Sequence, residues 1–159
     1  MGLFLVKLTS MRTVSSHVEM LALGEKIGAD LQAGDLILLS GPLGAGKTAL
    51  TQGIGQALGI DGITSPTFVI SRIHCAGAKK IPLVHVDGYR LQGEAGALFD
   101  DLDLESYLPT SVTVVEWGDG LIDRISDQYL ELRLGHGENE NDRTIEAIGH
   151  GDRWDGFTL

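Results

Sequence analysis

The stretch GPLGAGKT at positions 41 to 48 constrains this chain more than any other, because it fits the pattern G-x-x-x-x-G-K-[ST] at every fixed position. A loop of this kind works only between a buried strand and a helix. Both flanks have the required character. Residues 35 to 40, DLILLS, are a short apolar run of the sort that forms a buried parallel strand. Residues 47 to 58, KTALTQGIGQAL, carry Ala49, Leu50, Ile54, Ala57 and Leu58 at helical spacing. Gly41, Gly44 and Gly46 allow a tight turn and a close backbone approach to an anion. Lys47 then supplies a compact positive charge for the β and γ phosphates, the Thr48 hydroxyl a ligand for Mg²⁺, and the helix its positive end. The predicted ligand is a nucleoside triphosphate with Mg²⁺. Its candidate binding residues in this segment are Gly41, Gly44, Ala45, Gly46, Lys47, Thr48 and Ala49.

Length bounds what surrounds the loop. A chain of 159 residues with 43% hydrophobic residues is read as one domain over 1–159. No apolar stretch approaches the roughly 18 residues of a membrane span, and MGLFLVKLTSMR lacks the features of a secretory leader, so a cytoplasmic protein is expected. The single cysteine, Cys75, has no internal disulfide partner and reads as an inert small side chain. Twelve Lys and Arg against 22 Asp and Glu give a formal net charge of −10. Affinity for a phosphate backbone rests on cationic side chains, so such a chain is poorly suited to hold a nucleic acid alone.

The remaining pattern alternates strands and helices. A strand is expected at 3 to 8, followed by a helix from Ser16, which has capping-box spacing to Glu19, to about Gln32. After the loop and its helix come a turn-rich segment at 59 to 67 and strands at 68 to 73, 81 to 87 and 112 to 116, with an acidic stretch around 93 to 106. YLELRLG at 129 to 135 and RTIEAIG at 143 to 149 alternate with period two and predict an antiparallel hairpin. Residues beyond His150 read as a short tail that frays. The expected fold is a three-layer α/β domain of the P-loop NTPase type, with a mainly parallel central sheet and an antiparallel C-terminal hairpin.

Two strand ends carry carboxylates: Asp87 closes PLVHVD, and Glu116 closes TVVE. Ligands of open α/β sheets sit beyond the carboxyl ends of the strands, where the glycine loop also lies. A phosphate loop needs a second source of Mg²⁺ ligands or a group that orients water, and these acids are the candidates. Each acid has the alternative role of a helix cap at a strand-to-helix turn. His85 falls on the same strand face as Asp87, and His-x-Asp alone is an incomplete metal set. It reads as a hydrogen-bonded histidine, either structural or behind the site.

Together, GPLGAGKT (41 to 48), SPTF (65 to 68), HVDGYRL (85 to 91) and VVEWGD (114 to 119) resemble the motifs of the TsaE family, the bacterial ATPases of tRNA threonylcarbamoyladenosine biosynthesis. The resemblance spans most of the chain. It implies binding of ATP and Mg²⁺, slow ATP hydrolysis by the isolated protein, and action with TsaB and TsaD partners in modifying position 37 of ANN-decoding tRNAs. tRNA would then be contacted only through those partners. Carried over by position, Lys47 contacts phosphates, Thr48 holds Mg²⁺, and Thr67 lies in a switch-like loop near the γ-phosphate. The essential carboxylates are Asp87 and Glu116, one supporting Mg²⁺ and the other Mg²⁺ or the attacking water. Trp117 either borders the nucleotide or is a packing residue. Arg90 either stabilises phosphate charge, contacts a partner, or pairs with the acidic stretch. The chain departs from the family pattern at Gly88, at His74, where tyrosine is frequent, and at Gly118-Asp119.

Two other functions use the same loop. A small-molecule kinase should also carry an arginine-rich lid, which the sparse, scattered arginines do not supply. A nucleotide-gated interaction module would use hydrolysis only to reset binding.

Overall fold

The computed structural model describes residues 9–64, 71–88, 103–118 and 120–159. The strand expected at 3 to 8 and most of the acidic stretch lie outside them. In chain order the elements are β1 (Thr9–Val14), α1 (His17–Ala29), β2 (Leu36–Ser40), α2 (Lys47–Ala57), β3 (Ser71–His74), β4 (Leu83–Asp87), the single-turn helix α3 (Leu104–Tyr107), β5 (Val112–Glu116), β6 (Tyr129–His136) and β7 (Arg143–His150).

The strands form one sheet in the order β1-β7-β6-β2-β5-β4-β3. Its centre is parallel: β2 runs alongside both β5 and β6, and β5 alongside β4. Antiparallel pairs close both sides, β7 and β1 beyond β6 and β3 beyond β4. The C-terminal hairpin forms as the period-two pattern predicts. It is not the sheet edge, because β1 adds a strand outside it.

Alternate residues of β2 serve opposite faces, as strand geometry requires. Ile37 and Leu39 pack with Met20, Leu23 and Ile27 of α1 and Leu50 and Ile54 of α2. Leu36 and Leu38 pack on the other face with Leu104 and Ile122. The sheet is therefore covered on both sides, which is why its central strands read as continuous apolar runs. The two long helices cross in direct backbone contact. A Cβ added to Gly24 would lie 2.9 Å from Gly53 Cα and would overlap the Leu50 carbonyl. That close crossing fixes where α2, and the loop before it, can sit. Overpacking it would cost about 1 to 3 kcal/mol.

Two boundaries differ from expectation. α1 ends at Ala29 rather than near Gln32, because the Asp35 carboxylate takes the Gln32 N–H at 2.7 Å and Leu31 N–H turns to Gly28 O. The segment after His150 does not fray but docks. Trp154 is buried against the α1 side of the core, and Arg153 Nε and Nη2 donate to the two Asp35 oxygens at 2.9 and 2.8 Å.

Candidate functional site

β2 delivers the chain to the glycine loop, where Gly41, Gly44 and Gly46 all have positive φ. Gly46, at φ 103°, is the N-cap of α2, a conformation that costs a residue with a side chain roughly 1 to 2 kcal/mol. The two long helices begin differently. α1 is capped by its own side chains: Ser16 Oγ accepts from Glu19 N at 3.1 Å, and Glu19 Oε2 accepts from Ser15 N at 2.7 Å. α2 has no side-chain cap and no acid in its first turn. The first N–H groups of an α-helix have no acceptor within the helix, so the start of α2 is set up for an external anion. Ala45 and Ala49 are buried there, and it is their backbone that can serve such a ligand. Thr48 is half-buried in the same first turn.

Lys47 folds back over the loop. Its Nζ donates to Gly41 O at 2.6 Å and lies 4.2 Å from the centroid of the Trp117 ring. Burial holds the ammonium pKa below its ordinary 10.5, while Glu116 and then Asp87 pull it back up. One buried cation thus lies within electrostatic reach of both strand-end acids. Asp87 and Glu116 are register partners at the ends of β4 and β5, and Gly88 N–H donates to Glu116 O at 2.7 Å, tying the strand ends together. Glu116 is 4% exposed, and Asp87 is half-buried. His85 is fully buried, with Nε2 at 3.1 Å from Glu116 Oε2. Trp117, the next residue, has φ 55°, the left-handed region that a bulky side chain adopts at a cost on the order of 1 kcal/mol.

The structure therefore gathers Lys47, Asp87, Glu116 and Trp117 at the mouth of the glycine loop, with His85 behind them. Thr67, Tyr89, Arg90 and Asp119 lie outside the described residues. Among the described residues no group of three or more His, Cys, Asp and Glu gathers for a metal. A hydroxyl and one or two carboxylates are a poor cage for a tightly held cation. They suit Mg²⁺, which keeps several waters and takes its remaining ligands from a bound phosphate.

A cavity of about 420 Å³ opens beside the loop, walled by Ser15 and His17 at the start of α1, Gly44 of the loop, and Asn141 and Arg143 of the hairpin. Its volume is in the range of small-molecule sites. Arg143 Nε donates to Gly44 O at 3.2 Å and so braces the loop. Asp142, between the wall residues Asn141 and Arg143, is held below the usual carboxylate range chiefly by hydrogen bonds from Asn139. Sequence reasoning missed these walls. Ser16 carried only a capping signal and the segment around 141 only a loop signal. It is the β1–β7 pairing, separated by more than a hundred residues, that brings them to the glycine loop.

Residues 14–145 match the family described as Threonylcarbamoyl adenosine biosynthesis protein TsaE. A tRNA threonylcarbamoyladenosine biosynthesis protein TsaE from Streptomyces coelicolor is 47% identical over 136 residues, covering 83% of this chain and 91% of the relative. The protein of that name from Bacillus subtilis is 34% identical over 142 residues, covering 87% of this chain and 85% of the relative. The crystal structure of Bacillus subtilis YdiB superposes with a TM-score of 0.76 at 28% identity, over 94% of this chain and 91% of that one.

Proposed function

The chain belongs to the TsaE family of threonylcarbamoyl adenosine biosynthesis proteins, and from that premise we propose that it is an Mg²⁺-dependent ATPase of tRNA modification. One observation carries this reading. The uncapped start of α2 lies under a glycine loop, beside a buried lysine that two strand-end carboxylates influence. An anion bearing several charges, accompanied by a hard divalent cation, complements that arrangement.

Each residue then has a task. The backbone N–H groups from Gly44 to Ala49 bind the phosphates, and Lys47 exchanges the neutral Gly41 carbonyl for charged phosphate oxygens. Thr48 and Glu116 hold the cation. When bound, Mg²⁺ would neutralise charge developing on the transferred phosphoryl group. Asp87 either supports that cation or orients the attacking water, and Thr67 contributes from the segment before β3. Trp117 borders the phosphates, and the cavity beside Gly44 receives the nucleoside. Turnover is slow in the isolated chain and becomes useful with TsaD and TsaB partners, which hold the tRNA. A net charge of −10 favours that division of labour.

Phosphate release from ATP, measured alone and with TsaB and TsaD, tests the proposal. Slow release that rises when both partners are added supports it. Efficient phosphorylation of a free metabolite would favour a kinase instead.

A further inference from the structure

β4 is an apolar strand interrupted once. Within LVHVD the residues before Asp87 are buried, and His85 stands on the face that Leu83 shares with the α2 side of the core. Its register partner on β5 is Val114, which shows what that layer ordinarily accepts. Burying an imidazole there carries a desolvation cost that an apolar residue would avoid. Something at this position repays a polar ring.

Among the described residues the ring has one hydrogen-bond partner, Glu116 Oε2, at 3.1 Å. Its other nitrogen, Nδ1, is buried and has no partner among the described residues. A carboxylate can only accept, so Nε2 carries the proton and donates. Arg72, opposite His85 on β3, bonds instead to Thr64 Oγ1 at 3.1 Å. The imidazole is thus packed on all sides and directed at a single carboxylate oxygen.

We propose that His85 is a positioning residue for Glu116: the Nε2–H bond fixes the carboxylate in one orientation toward the cation of the nucleotide site. The inference rests on the reading of Glu116 as a cation ligand given above. Donors behind a ligating carboxylate typically change metal affinity by 10- to 100-fold when removed. Gln and Asn separate this role from plain core filling. The glutamine amide nitrogen reaches about as far along the side chain as Nε2, whereas the asparagine amide falls near Nδ1 and cannot reach Oε2.

The test uses the full chain and reads Mn²⁺ binding by electron paramagnetic resonance in the presence of ADP. Fluorescent ADP binding in excess chelator and thermal melting are measured alongside. His85→Leu is expected to weaken Mn²⁺ binding about 10- to 100-fold while metal-free ADP affinity stays within about twofold. His85→Gln is expected to recover Mn²⁺ binding to within about threefold of the parent. If the leucine variant does not fold, His85→Asn takes its place with the same expectation. Parental Mn²⁺ affinity in the leucine or asparagine variant would overturn the proposal. So would equal losses in the glutamine and leucine variants. A parent protein that binds neither ADP nor Mn²⁺ with ADP would instead sink the nucleotide reading, and the inference with it.

Discussion

Asp35 and Glu116 are both acids, both 4% exposed, and stand at opposite ends of the parallel strands. Asp35, just before β2, accepts three hydrogen bonds: one from Gln32 N and one from each of two Arg153 nitrogens. Its charge is fully compensated by the chain itself. Glu116, at the end of β5, receives one side-chain hydrogen bond among the described residues, from a histidine, and has a lysine nearby that is engaged by a carbonyl. Burial alone does not mark a functional acid. What separates the two is whether the fold has already supplied their partners. Among the described residues, the Asp35 end is closed by the chain itself, and the Glu116 end is the more open of the two.

The sharpest way to break that contrast is to remove the cation at the open end. Lys47→Ala should lower ATP affinity more than a hundredfold, because a buried charge-assisted contact worth about 3 kcal/mol is lost. The melting temperature should not fall, since the substitution also removes a lysine whose burial disfavours its charge. Calorimetric titration and a melting curve on the same sample check both halves. Glu116→Gln should reduce hydrolysis about a hundredfold in a phosphate-release assay and change stability by less than about 1 kcal/mol. At the closed end the pattern should invert. Arg153→Ala should destabilise the fold by about 2 kcal/mol in urea, with the usual cost of a broken buried pair reduced because Arg153 is about one-third exposed. ATP affinity should stay within about twofold. An Arg153 variant that binds ATP poorly but unfolds normally would erase the distinction.

The smallest effect is a pH dependence. Burial lowers the Lys47 pKa from 10.5, so its charge is lost earlier in an alkaline titration than that of an ordinary lysine. Below the lowered pKa the buried charge disfavours folding, and that penalty fades as pH rises toward 10.5. Phosphate binding favours the charged form. ATP affinity should therefore weaken as pH climbs through that window, and the dependence should vanish in Lys47→Ala.

The open end was more legible in the sequence than the closed one. Glycine spacing, Lys47-Thr48 and the two strand-end acids are local signals, and each has a chemical reason for its residue type. The hairpin was equally legible from its alternation. At the closed end neither Asp35 nor the segment after His150 carries a local signal for the other, because their pairing joins positions 118 residues apart. The cavity wall formed by Ser15, His17, Asn141 and Arg143 was hidden for the same reason. The order of strands that assembles it has no local signature. His85 fell between: its strand face could be read, but its partner depended on the β4–β5 register.

Trp117 offers the most direct measurement. Its ring lies 4.2 Å from Lys47 Nζ, while the other tryptophan, Trp154, is buried beside the Asp35–Arg153 pair. A phosphate chain that draws Lys47 away from Gly41 O must alter the surroundings of Trp117. Titrating the protein with Mg²⁺ and ATP should give a saturable change in tryptophan fluorescence that disappears in both Lys47→Ala and Trp117→Phe, with the Trp117 variant still binding by calorimetry. An unchanged signal, with no heat of binding for ATP or GTP, would contradict the account.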